Sequence, residues 1–250
     1  AVKIQQFEAL FGEFKDVFDW ELVLVVHNSP DNSGAEAERL LKEKHPGIYT
    51  QKKVRVANIT KPGLTLGKGG KCLFGMTDAM NRGAHMVGYT DLDFTSDMRF
   101  LGLLIGPMIN EDGTIKRFAS IGSRNPGKGG LGIPHVPNTP EGVLSVAGNN
   151  LRRLFFLPPT SAIGDTQCGF KLYSTVLYKE LEPKIKDTTF GFDTELLMLS
   201  WKLGEDVKVG VEEIGIPWSD SSEGLSGTSP KERIRMQNSW LEQHERWEKE

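Results

Sequence analysis

The segment Glu21–Val26 reads E-L-V-L-V-V. A strand that is apolar at consecutive positions has no polar face to turn toward water. It must be covered on both sides, as in parallel sheets with helices on both faces. The flanking pattern agrees. Residues 1–18 place Phe7, Leu10, Phe11, Phe14 and Phe18 at spacings of three and four, which gives a helix with one apolar stripe. Residues 35–44 form a second amphipathic helix with Ala37, Leu40 and Leu41 inward, and Val54-Arg55-Val56 opens another strand. Helix, strand, helix, strand is the order of an α/β domain whose parallel strands are joined by crossover helices.

A second apolar run, Met86-Val87-Gly88-Tyr89, leads into Asp91-Leu92-Asp93. Two carboxylates at i and i+2 just past a buried strand can converge on one hard cation. Mg²⁺ characteristically takes one or two carboxylates together with substrate phosphates. An isolated D-x-D is also a common polar turn, so the motif gains weight only from its neighbours. Gly67-Lys68-Gly69-Gly70 opens a helix that runs through Arg82. Its glycines either present amides to a phosphate or let the helix pack closely. The spacing of a P-loop is absent.

Further along, Met98–Ile109 reads as an apolar helix and Phe118–Gly122 as a strand ending in Gly122-Ser123-Arg124. Residues 125–148 are rich in Gly, Pro and Asn, the composition of an active-site lid. Asn149–Phe156 reads as helical, and Ser174 as the cap of the next helix. Phe192-Asp193-Thr194-Glu195 opens another helix, where acids suit the positive end of the dipole. Val207–Val211 and Ile214–Trp218 alternate like strands, and Ser219–Gly227 is a Ser/Gly-rich loop. Ser229-Pro230-Lys231-Glu232 caps a last helix over 229–250, with Met236, Trp240, His244 and Trp247 on one stripe.

Composition excludes several classes. Net charge is −3, with no block of like charge, which argues against binding nucleic acid through charge. Two cysteines, Cys72 and Cys168, are too few for a disulfide framework and lack zinc-site spacing. They fit small buried residues of a reducing compartment, and the expected location is cytoplasmic. No apolar run is long enough to span a bilayer. The chain reads as one domain, without internal repeats.

The motifs in order resemble inverting family 2 glycosyltransferases of the GT-A fold, in the dolichyl-phosphate glucosyltransferase and dolichyl-phosphate mannose synthase branch. The resemblance rests on GKGGKCLFGMTDAMNRGA at 67–84, YTDLDFTS at 89–96, IGSR at 121–124, DTQCGFKLYS at 165–174, FGFDTELLMLSWKLG at 190–204 and EIGIPW at 213–218. It implies the nucleotide-diphospho-sugar transferase fold, a mostly parallel central sheet flanked by helices. It implies a metal-dependent hexosyltransferase that takes a UDP-glucose or GDP-mannose type donor and a phosphate- or hydroxyl-bearing acceptor. Asp91 would contact the nucleotide, and Asp93, with Asp91, would hold Mg²⁺ or Mn²⁺ against the diphosphate. Lys68 would lie near the nucleotide. Arg124 and Lys171 would meet a phosphate-bearing acceptor, and Asn28 and Trp218 would add substrate contacts. Asp165 and Gln167 would shape the sugar pocket, with Asp193 and Glu195 close to the reaction centre.

The chain also departs from the pattern. The resembled family opens with a strand that cannot be found before residue 21, and residue 1 is Ala, not Met. The expectation is a segment ahead of Ala1 that supplies this strand beside Glu21–Val26. Without it, the exposed edge would pair with another copy, aggregate or recruit a substitute. The second strand ends His27-Asn28-Ser29-Pro30 in place of an acidic pair, which leaves the nucleotide open. Two alternatives stand beside the transferase: a sugar-1-phosphate nucleotidyltransferase, whose Thr-Arg-Met motif is absent, and a non-catalytic nucleotide-sugar-binding module.

Overall fold

The computed structural model describes residues 2–14, 16–59, 66–92, 95–124, 163–206, 210–217 and 230–247. The expected lid at 125–148, the helix at Asn149–Phe156, the Ser219–Gly227 loop, Asp93 and Trp218 lie outside these residues.

In chain order the elements are α1 (Val2–Glu13), β1 (Leu22–His27), α2 (Ser33–Lys44), α3 (Pro46–Thr50), β2 (Val54–Ile59), α4 (Lys68–Asn81) and β3 (Met86–Thr90). They continue with α5 (Leu101–Ile105), β4 (Phe118–Ser123), β5 (Phe170–Ser174), α6 (Thr175–Leu181), α7 (Phe192–Asp206), β6 (Gly210–Gly215) and α8 (Pro230–Trp247). This is the α/β pattern expected from the chain, with four differences of detail. The first helix stops at Glu13, and Phe14 and Val17 beyond it are exposed. The apolar stretch 98–109 breaks into two 3-10 turns around α5, because Pro107 supplies no amide to continue the ladder. One strand, β6, spans the region where two were expected. The strand β5 was not expected as a strand at all.

The described strands form two sheets. β1 and β2 pair in parallel, Leu22 opposite Val54 through His27 opposite Ile59. The other sheet has the order β3-β5-β4-β6. Here β4 and β6 are parallel, while β5 runs antiparallel to both β3 and β4. Side chains alternate between two cores. Phe170 and Leu172 of β5 join Met86, Phe7 and Phe11 on the α1 side. Tyr173 of β5 joins Val87, Met76 of α4, Phe192 and Leu196 of α7 on the opposite side. Phe7, Phe11 and Trp20 stack within the first core, with 5.1 Å between the rings of Phe7 and Trp20. The flank around β2 has its own small cluster of Ile4, Leu41, Ile48 and Val54.

Candidate active site

The antiparallel direction of β5 builds the site. It brings the turn ahead of β5, residues 165–169, to the same sheet end as the residues that follow β3 and β4. Asp91 follows β3, and its amide donates to the Gly169 carbonyl at 3.1 Å. Arg124 follows β4, whose Ile121 is opposite Lys171 of β5. Asp91, Arg124, Asp165, Gln167 and Lys171 therefore converge from sequence positions up to eighty residues apart.

Lys68, the first residue of α4, forms an ion pair with Asp91, and its ammonium stands 5.7 Å from the Phe190 ring centroid. Burial works against that ammonium, but the Asp91 carboxylate more than offsets it and raises the lysine above its ordinary value. A Cβ on Gly169 would overlap the Asp91 carboxylate, so any larger residue there would have to displace that carboxylate. The glycine turn at 67–70 resolves toward close packing. Gly69 and Gly70 donate their amides to the carbonyls of Thr189 (3.0 Å) and Thr188 (2.8 Å). A Cβ on Gly69 would lie 2.7 Å from that of Phe192. These amides hold the 188–192 segment.

Arg124 grips Asp165 through Nε and Nη2, both at 2.7 Å, and through its own amide at 3.0 Å. Burial would raise the Asp165 carboxyl, yet the Arg124 guanidinium outweighs it and holds the group below its ordinary value. Asp165 is itself held from behind. Glu213 of β6 accepts from the amides of Gly164 (2.6 Å) and Asp165 (2.9 Å) and from Ser123 Oγ (2.5 Å).

Asp193, in the first turn of α7, accepts from Gln167 Nε2 and from the Thr194 amide, both at 2.8 Å and both on Oδ1. Its Oδ2 faces Lys171 Nζ at 3.5 Å. The Lys171 side chain has no exposed surface; it donates to the Cys168 carbonyl at 2.7 Å and lies 5.6 Å from the Tyr89 ring centroid. Burial pushes the neighbouring Cys168 thiol up to about 12, so it is an inert packing residue.

Two expected residues lie apart from this group. Glu195 turns toward the 186–187 segment, accepting the amides of Lys186 (2.9 Å) and Asp187 (2.7 Å), and pairs with Arg246 of α8 at 2.9 Å. Asn28 sits at the exposed carboxyl end of β1 with a left-handed φ of 45°. Sequence reasoning passed over Glu213, Gly169 and Asp187. Glu213 stands at the head of the EIGIPW motif and Gly169 inside DTQCGF, so the motifs contained them without marking their roles. Asp187 has no local signal; its partners Ser239 and Gln243 come from α8.

The donor chemistry suits a hard divalent cation. Asp91 offers carboxylate oxygens at a half-buried position beside a cation-balanced turn. Among the described residues no three ligating side chains cluster, so Asp91 and its described neighbours do not by themselves complete a cation's coordination.

No protein-family model matches the chain. It is 29% identical over 213 residues to dolichyl-phosphate beta-glucosyltransferase of Saccharomyces cerevisiae, covering 80% of this chain and 57% of that protein. It is 27% identical over 210 residues to the Drosophila melanogaster protein of the same name, covering 81% and 56%. The chain thus spans little more than half the length of these relatives. Its fold matches glucosyl-3-phosphoglycerate synthase from Mycobacterium tuberculosis, solved in complex with Mn²⁺, UDP-glucose and phosphoglyceric acid, with a TM-score of 0.59. That match covers 96% of this chain and 72% of the other, at 15% identity. The same protein with Mn²⁺, UDP and phosphoglyceric acid gives 0.58. The chain is thus similar in sequence to the dolichyl-phosphate glucosyltransferases, and it has the GT-A fold.

Proposed function

We propose that this chain carries the catalytic centre of an inverting glycosyltransferase, which moves a hexose from a nucleotide-diphosphate sugar to a phosphate-bearing acceptor. The observation that carries the reading is the Lys68–Asp91 pair, set where α4 begins and β3 ends. A cation and a carboxylate at such a position suit a diphosphate and its counter-ion. The likeness to dolichyl-phosphate glucosyltransferases, and the UDP-glucose bound to the structural neighbour, favour a UDP-glucose type donor.

In this reading Asp91 and Asp93 would hold Mg²⁺ or Mn²⁺, and the bound ion would supply positive charge to offset that of the departing nucleoside diphosphate. Lys68 adds a second positive charge to the diphosphate. Asp165, locked by Arg124 and backed by Glu213, forms a rigid wall of the sugar pocket, and Gln167 links that wall to Asp193. Asp193 spends one oxygen on two donors and turns the other to Lys171, which leaves it little capacity to take a proton from an alcohol. An acceptor that is already an anion, such as a phosphate, needs no such base. Glu195 acts at a distance, fixing the 186–191 segment that receives the Gly69 and Gly70 amides.

The test is incubation with UDP-glucose or GDP-mannose, Mn²⁺ and either a polyprenyl phosphate or phosphoglyceric acid. Release of nucleoside diphosphate that requires the acceptor supports the reading. Pyrophosphate exchange would replace it with nucleotidyl transfer, and neither product would leave a binding module.

A further inference from the structure

α8 lies outside every motif that marks the candidate site, yet three of its side chains reach the segment that supports it. Ser239 Oγ and Gln243 Nε2 both donate to Asp187 Oδ2, the glutamine at 2.8 Å. Gln243 Nε2 also stands 3.3 Å from the Gly191 carbonyl, which accepts the Thr194 and Glu195 amides in the first turn of α7. Arg246 Nη2 pairs with Glu195 at 2.9 Å. Positions 239, 243 and 246 are separated by four and three, so they share one face of the helix.

The chemistry ties the segment to α8. Asp187 is buried, and its partners among the described residues are neutral donors only. Its Oδ1 takes the amide and the hydroxyl of Thr189, at 2.6 and 2.7 Å, and its Oδ2 takes the two donors from α8. Leaving a buried polar oxygen unpaired costs about 1–3 kcal/mol, and more when it is charged. With α8 displaced, the segment would have to shift until water reached that carboxylate. Gly191 lets the helix come this close, since a Cβ there would overlap Asp187 Oδ2 and stand 2.8 Å from Ser239 Oγ. Gln243 is buried too, and its Oε1 has no partner among the described residues, so its contribution lies in its donors.

We infer that α8 is a strap that positions the donor side of the candidate site, with Gln243 and Arg246 as its positioning residues. The relay is short. Asp187 and Glu195 fix the 186–191 segment, whose Thr188 and Thr189 carbonyls receive the Gly70 and Gly69 amides. Those glycines begin α4 directly after Lys68, which pairs with Asp91. The strap also reaches the first turn of α7, where Asp193 faces Lys171 two residues ahead of Glu195. Loosening α8 therefore frees the Lys68–Asp91 geometry without removing a group of that pair. The identity of the ligand rests on the proposed function; the relay rests on hydrogen bonds alone.

Amide hydrogen exchange reads the relay without any ligand. In Arg246→Ala, the Gly69 and Gly70 amides should exchange about tenfold faster than in the wild type, beyond any change in the β5 amides, which report global unfolding. Arg246→Lys keeps a cation for Glu195 and should restore the slow rates. Leu41→Ala destabilises through the separate cluster beside β2 and should show no excess at the two glycines. Calorimetric titration with UDP-glucose and Mn²⁺ should follow the same order, with affinity down about tenfold in Arg246→Ala and near wild type in the other two. Gly191→Ala, which presses α8 away with every charge kept, should match Arg246→Ala in both measurements. Glycine rates unchanged in Arg246→Ala, or raised equally in Leu41→Ala, would overturn the strap. So would faster exchange with undiminished affinity, which would leave α8 a purely structural role. A wild-type chain that takes up no UDP-glucose would overturn the proposed function, and the exchange rates would still decide the relay.

Discussion

β1 and β5 invert the usual link between composition and burial. β1 reads L-V-L-V-V-H, and each of its six residues is only half-buried. β5 reads F-K-L-Y-S, and each of its five residues is buried, its lysine included. The cause is position. β5 has β3 on one side, β4 on the other and a helical layer on each face. β1 has β2 on one side and no strand partner among the described residues on the other. Burial follows from the number of neighbours a strand is given, and hydrophobicity only permits it. The β5 half is also where the charged groups of the candidate site are locked.

The largest effect should come from breaking the ion pair in the buried half. Asp165→Ala removes the partner of Arg124 and of the Arg124 and Gln167 amides, and should cost about 3–5 kcal/mol in urea unfolding. Because the folded-state carboxyl is held below its ordinary 3.8, this stabilisation is present above that pH and fades as the pH falls below it. A wild-type stability curve flat from pH 5 to pH 2, or a loss under about 1 kcal/mol in the variant, would remove the contrast between the halves.

The comparison sharpens with one truncation made twice. Leu172→Ala in β5 should cost about 2–5 kcal/mol, because its neighbours on both sides prevent the cavity from collapsing. Leu24→Ala in half-buried β1 should cost roughly half as much, since water already reaches it. Equal losses would mean that β1 is as well covered as β5. A smaller structural effect with a clear functional readout is expected at Gly169. Gly169→Ala should displace the Asp91 carboxylate, at about 1–3 kcal/mol of strain. In calorimetric titration it should weaken nucleotide-sugar binding at least tenfold, about 1.4 kcal/mol. Unchanged affinity would separate Asp91 from the nucleotide.

Most of the architecture could be read from the chain because its helices and parallel strands carry unbroken periodic patterns. β1 declared itself through five apolar residues, and the helix after the glycine turn through Leu73, Met76 and Met80. β5 did not, because Lys171 and Ser174 interrupt it. Only the tertiary fold supplies what makes a buried lysine tolerable there, namely the Cys168 carbonyl, Asp193 and the Tyr89 ring. The site followed the same rule. Asp91, Arg124, Asp165, Gln167, Lys171 and Asp193 were legible as motif members, but their pairings depend on the reversed direction of β5. Glu195 shows the limit: two residues from Asp193 in sequence, it faces another element, because residues i and i+2 of a helix point about 200° apart.

The smallest expected effect concerns what ties the β1 half to the rest. On the outer side of α4, Arg55 of β2 pairs with Glu21 and Asp78, and Arg82 pairs with the same two carboxylates. All four side chains keep about a third of their surface in water, so each pair is weakened by solvent. Arg55→Gln should therefore cost no more than about 1 kcal/mol at low salt. The loss should vanish near 1 M NaCl, where the screening length falls to about 3 Å. The corresponding loss from Asp165→Ala should persist in the same salt, because that pair is buried. If the Arg55→Gln loss also persisted, the arginine stem would be contributing by packing, and the β1–β2 flank would be held by the same means as the β5 core.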